Sequence, residues 1–98
     1  FRSSWEANLA RVFNAQGIAW EYEPRAFPLK AGVTYRPDFY LPQTDTWVEL
    51  KGMWRDDSRA KWRAFRAEYP DLKVELIEED AYRRLVAEHR QTVPGLEK

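Results

Sequence analysis

Four residues, Pro42-Gln43-Thr44-Asp45, separate two apolar runs, "PDFYL" over 37–41 and "TWVELK" over 46–51. A link this short leaves two strands one easy arrangement, an antiparallel pair. Side chains alternate across a strand, so Glu49 and Lys51 share one face while Val48 and Leu50 take the other. The turn then carries Asp38, on the first arm, next to Glu49 on the second. Two carboxylates held that close repel unless a proton or a cation lies between them.

The rest of the chain supplies a frame for this pair. Ser3 to Gln16 reads as a helix with the apolar stripe Trp5, Leu9, Val12 and Phe13, ended by Gly17. "IAWEYE" (18–23) alternates like a half-buried strand and stops at Pro24. The stretch "RAFPLKAGVTY" (25–35) holds Pro28 and Gly32 without a clear period, so it reads as a connection with a short extended piece, long for a simple hairpin. Asp57 or Ser58 caps a helix running to about Tyr69, with Trp62, Phe65 and Tyr69 inward and Pro70 as its stop. "LKVELI" (72–77) is a fourth strand, parallel to the third because a helix intervenes. "EEDAYRRLVAEH" (78–89) is a last helix with acids at its positive end and Tyr82, Leu85, Val86 and His89 on one face. From Gln91 onward the tail carries no signal. The order α-β-β-β-α-β-α gives a mixed α/β (α+β) fold, a four-stranded mixed sheet flanked by helices. With 98 residues and no internal repeat, one domain over 1–98 is expected, too small for two independent cores.

Composition narrows the chemistry. Without cysteine there is no disulfide, thiolate nucleophile or cysteine-ligated zinc, and a single histidine cannot build a histidine cage, so any metal must sit on carboxylates. Oxygen-only ligands suit magnesium, which keeps several waters and can present one as a nucleophile beside a phosphate, with Lys51 placed to hold that water or the developing charge. The 16 basic and 16 acidic residues cancel, so bulk charge does not announce a nucleic-acid binder. Arginine nevertheless supplies 11 of the 16 positive charges, and its planar fork suits phosphate oxygens. No run approaches a membrane span and no charged-then-apolar leader is present, so a soluble, intracellular protein is expected.

An isolated Glu-x-Lys in a strand is most often a cross-strand salt bridge on a solvated face. The ensemble here is more specific: Pro37-Asp38 entering one strand, Glu49-x-Lys51 in the next, Gly52 closing that strand, and an acid-bearing helix before them all. This constellation resembles the PD-(D/E)xK nucleases, with their restriction-endonuclease-like αβββαβ core. The stretches "FRSSWEANLARVFNAQGIAWEYE" and "YRPDFYLPQTDTWVELKG" are closer still to Holliday junction resolvases of the phage endonuclease I type, over roughly residues 1 to 78. The resemblance implies metal-dependent hydrolysis of DNA phosphodiesters, with Mg2+ as cofactor and Mn2+ as its substitute. Asp38, Glu49 and the backbone carbonyl of Leu50 would be ligands, Lys51 would assist the attacking water, and Glu6 would be the helix carboxylate completing the site. It further implies a homodimer, in which a segment near 25–35 crosses between subunits so that Glu6 serves the partner's site, a four-way DNA junction as substrate, and action in the cytoplasm of a bacterial or phage-infected cell. Shorter length, no long C-terminal extension and zero net charge depart from the resolvase pattern. Other endonucleases with this core, homing, transposon-end or repair nickases among them, stay open, as does a non-catalytic DNA-binding module.

Glu6 has a second reading, because "SSWE" is also a Ser-x-x-Glu capping box. The residues alone favour the cap; the resemblance turns Glu6 toward the site. Arg59, Arg63 and Arg66 recur at helical spacing and with Arg55 form either a strip for phosphates or a solvated face. Arg2, Arg25 and Arg36 are further candidates for DNA contact, Arg36 because it directly precedes the motif. Trp47 and Trp54 are assigned to core packing and His89 to the last helix, with no catalytic role.

Overall fold

In the computed structural model, which describes residues 1–96, Ser3 opens the first helix by accepting the Glu6 N–H on its hydroxyl at 3.2 Å. Helix α1 (Ser4–Ala15) ends where Gly17 takes a φ of +71°. There the Gly17 N–H meets the Asn14 carbonyl and the Ile18 N–H meets Phe13 O, the paired bonds that close a helix on a left-handed residue.

The strand expected over 18–23 shrinks to β1 (Glu21–Tyr22). Its neighbour β4 (Phe39–Leu41) offers few partners: Glu21 pairs with Tyr40 and Tyr22 with Phe39, while the Ala19 N–H turns to the Gln43 side chain. At the far end Glu23 adopts φ +45° and Pro24 has no N–H to extend the ladder. The stretch read as a connection is instead a hairpin of β2 (Phe27–Pro28) and β3 (Thr34–Tyr35), closed by Leu29 N–H to Val33 O at 2.8 Å and turned at Gly32 with φ +89°. Two-residue strands are too short to show a period.

The four-residue link does join antiparallel neighbours, β4 and β5 (Thr46–Lys51), with Phe39 opposite Val48. Helix α2 (Asp56–Glu68) starts two to three residues earlier than a cap at Asp57 or Ser58 would place it: Arg55 is its cap, and Ser58 accepts the Arg55 N–H on its hydroxyl at 3.0 Å. Strand β6 (Lys73–Glu78) runs parallel to β5, and α3 (Glu79–His89) follows. The sheet order is β1-β4-β5-β6, beside the separate β2–β3 pair.

Hydrophobic burial occupies both faces of this sheet. On one, α1 and α3 cover Phe39, Val48 and Leu50 through Leu9, Phe13, Tyr82 and Val86. On the other, the β2–β3 hairpin and α2 cover Trp47 through Phe27, Tyr35 and Phe65. Strand β5 is the shared wall of both clusters, so neither is independent. Its residues 46–50 are all buried, which puts Glu49 inside the protein rather than on a solvated face.

Candidate active site

Extending the β4–β5 register by one residue sets Asp38 opposite Glu49. Both are buried, 6% and 3% exposed. Asp38 is held by its environment: its Oδ2 accepts the Leu50 N–H at 2.7 Å, and its carbonyl accepts the Glu23 N–H at 2.9 Å. Burial first, and then the charge of Glu49, push the Asp38 carboxyl well above the ordinary carboxylate range, partly opposed by the Leu50 N–H. Such a pair is comfortable only with a proton or a cation between its members.

Glu49 is engaged on one oxygen. The Tyr35 hydroxyl donates to Oε2, and the Lys51 ammonium stands 3.7 Å from the same atom. Oε1 is buried and has no hydrogen-bond partner among the described residues. Burial, then the negative charges of Glu49 and Asp38, raise the Tyr35 phenol far above its usual value, so it remains a donor.

Glu6 reaches this cluster from α1 of the same chain. Oxygens of Glu6, Glu23 and Asp38 lie within 4.8 Å of one another. The capping box is half formed: Ser3 receives the Glu6 N–H, but the Glu6 carboxylate bypasses the Ser3 N–H. Its Oε1 accepts instead the Arg2 N–H at 2.9 Å and the Tyr22 hydroxyl at 3.1 Å. Beside it a recess of about 200 Å³ is lined by Ser3, Trp5, Glu6, Leu50 and Gly52. Gly52 is required there, because a Cβ would stand 2.9 Å from the Trp5 ring, which is itself stacked on Tyr82 at 4.1 Å. A wider cleft of about 530 Å³, which shares Gly52 with that recess, is lined by Lys51, Trp54, Glu78 and Arg84.

The arginines divide. Arg2 forms a 2.5 Å ion pair with Glu23, and Arg36 donates to the Glu23 carbonyl at 2.8 Å, so both pin the bend after β1. Arg25 lies over the Phe27 ring at 4.4 Å. On α2, Arg55 and Arg63 are exposed, Arg59 lies 4.9 Å from the Trp54 ring, and Arg66 is drawn aside to the Leu72 carbonyl and the Trp62 ring. Trp47 is in the core as expected. Trp54 is not: it is half-exposed at the rim, donating its indole N–H to Glu78 at 2.8 Å with Lys51 5.7 Å from its ring. His89 bonds the Leu85 carbonyl within α3.

Sequence reasoning missed Tyr35, Tyr22 and Glu23. Glu23 carried a faint mark, an acid immediately before a proline at a strand end; the tyrosines carried none, since their partners lie 14 and 16 residues away.

A mixed sheet whose antiparallel arms bring Pro37-Asp38 against Glu49-x-Lys51, with a helix carboxylate alongside, is the arrangement of a PD-(D/E)xK nuclease domain. Within that class the chain belongs to the phage endonuclease I family, whose model matches residues 1–93. It is 35% identical over 80 residues to endonuclease I of Escherichia phage T7, covering 79% of this chain and 53% of that protein. It is 33% identical over 81 residues to endodeoxyribonuclease 1 of Enterobacteria phage T3, covering 79% and 52%. The chain thus spans about half the length of the curated relatives it matches.

Proposed function

We propose that this domain is a metal-dependent DNA endonuclease that hydrolyses phosphodiester bonds, acting on branched DNA such as four-way junctions in the infected cell. The observation that carries the metal reading is Oε1 of Glu49, a buried carboxylate oxygen without a hydrogen-bond partner among the described residues, beside an Asp38 carboxyl that its surroundings disfavour as an anion. An all-oxygen donor set fits Mg2+, with Mn2+ as a substitute.

Asp38 and Glu49 would hold the ion, with the Leu50 backbone carbonyl and Glu6 as further ligands. When bound, it supplies Lewis-acid polarisation of the phosphate and a more acidic water. Lys51, only 24% exposed along its side chain, orients the attacking water or offsets charge on the phosphate as it goes to the five-coordinate state. Arg55, Arg59 and Arg63 on α2, next to Trp54, present a positive edge for the backbone of the duplex.

Resolution of a junction needs two symmetric cuts, and a homodimer provides two sites. Glu6 lies beside Asp38 within a single chain here. A swapped dimer would exchange the same contacts by opening the β2–β3 turn. Mixing a Glu6→Ala chain with a Lys51→Met chain after joint unfolding should then restore nicking of one strand. Proven heterodimers without recovery, or a monomer in sedimentation, would remove the swap and leave the nuclease.

The test of the activity is cleavage of four-way junction, flap, single strand and linear duplex with Mg2+, Mn2+, Ca2+ or chelator. Mg2+ and Mn2+ should support cutting, strongest on the junction, whereas Ca2+ should bind with little turnover. Full activity in chelator would sink the metal mechanism.

A further inference from the structure

The β2–β3 hairpin lies outside the main sheet and contributes no carboxylate, yet it delivers one polar atom to the site. Tyr35 is 6% exposed; its ring is stacked on Phe65 of α2 at 4.7 Å and 15°, with Trp62 at 6.2 Å. That packing fixes the direction of the hydroxyl, which ends on Oε2 of Glu49. We propose that Tyr35 is a positioning residue for the metal-binding carboxylate, taking Oε2 so that Oε1 alone is turned toward the cation.

The alternative partner for Glu49 makes such a device necessary. Lys51 stands 3.7 Å from Oε2, longer than a good charge-assisted hydrogen bond. Without the phenol, the carboxylate is free to turn and close fully on the ammonium. That would neutralise both a ligand and the group meant for the water or phosphate. A donor fixed by ring packing prevents it at no cost in charge. Outer partners of this kind orient ligating carboxylates, and their loss typically weakens metal affinity by about 10- to 100-fold. Because Phe65 sits on the helix that carries Arg59 and Arg63, the same packing ties the ligand to the arginine edge.

This inference rests on the metal reading of the site, and its test separates the two. Mn2+ binding is measured by calorimetry without DNA in wild type, Tyr35→Phe and Tyr40→Phe. The last removes a hydroxyl from β4 that bonds exposed Asp45 at 2.7 Å, away from the site, and so controls for loss of any tyrosine hydroxyl. Tyr35→Phe keeps the ring and should bind Mn2+ about tenfold more weakly, with kcat reduced and KM for DNA unchanged, while Tyr40→Phe binds as wild type. Equal Mn2+ affinity in wild type and Tyr35→Phe, or equal weakening in both variants, overturns the positioning role while the metal site stands. No Mn2+ binding by wild type overturns the metal reading and this inference with it. Should Tyr35→Phe fail to fold, Phe65→Leu, which keeps the hydroxyl but frees the ring, must weaken Mn2+ binding for the proposal to survive.

Discussion

Asp38 accepts the backbone N–H of Leu50 at 2.7 Å, so the first arm of the motif is bonded through its own side chain to the second. That bond spends one oxygen of Asp38 on structure and orients the other. Asparagine can accept the same N–H but cannot match the charge. Asp38→Asn should therefore fold, with stability at neutral pH equal to or above wild type, because the amide removes the cost of keeping protonated in the folded chain a carboxyl that ionises in the unfolded one. Cleavage should fall by roughly a hundredfold or more, the scale of losing a principal electrostatic group. A variant that cuts at the wild-type rate would remove Asp38 from the site.

The raised Asp38 carboxyl makes the metal-free protein sensitive to alkali. In the unfolded chain this group ionises near pH 4, whereas the folded chain keeps it protonated well above that. The unfolded state then binds fewer protons, so stability falls as pH rises from about 4 through neutrality. Melting temperature in chelator should decline over that range, and the decline should flatten in Asp38→Asn. Mg2+ should restore more stability at pH 8 than at pH 6, since it replaces the proton. A melting temperature in chelator that rises over the same range would contradict the burial-driven shift.

Substitutions at Lys51 and Glu49 should separate binding from chemistry. Lys51→Met should keep the fold and DNA affinity yet lose most cleavage, because a group that serves the water or the developing charge acts mainly on the transition state. Glu49→Ala should also lose cleavage, and without metal it should hold DNA at least as tightly as wild type. Gel-shift titration beside single-turnover cleavage reads both quantities.

Gly52 and Trp5 set the entrance to the recess beside Glu6. With a Cβ only 2.9 Å from the indole, Gly52→Ala must displace Trp5 from its stack on Tyr82. The cost should be about 1–3 kcal/mol, as for other overpacked sites, with an altered tryptophan emission and reduced cleavage because α1 carries both Trp5 and Glu6. Adding Trp5→Leu should recover part of the stability, measured by denaturant unfolding.

The α2 arginines should split by role. Replacing Arg55, Arg59 and Arg63 by alanine should lower DNA affinity and flatten its salt dependence, since fewer counterions are released. Arg66→Ala should instead cost stability, through its contacts with Leu72 and Trp62, and leave the salt slope unchanged. A salt slope identical to wild type in the triple variant would return that edge to ordinary solvated surface.

Local rules in the sequence determined the caps of α1 at Ser3 and Gly17, the antiparallel β4–β5 pair, the parallel return of β6, and the meeting of Asp38 with Glu49. Each follows from spacing of a few residues, the period of a strand, or the length of a link, and needs no knowledge of what packs on top. Only the tertiary structure decided that residues 27–35 double back as a hairpin, that Tyr35 lands on Glu49, that Glu6 answers to Tyr22 and Arg2 rather than to its own cap, and that Trp54 stays at the rim. Those contacts join residues far apart in the chain and depend on which faces the two clusters bury. Strand β5 has both faces covered, so the periodicity that separates inside from outside was silent at Glu49, and burial on both sides turned a common surface pair into a buried one with an oxygen unpartnered among the described residues.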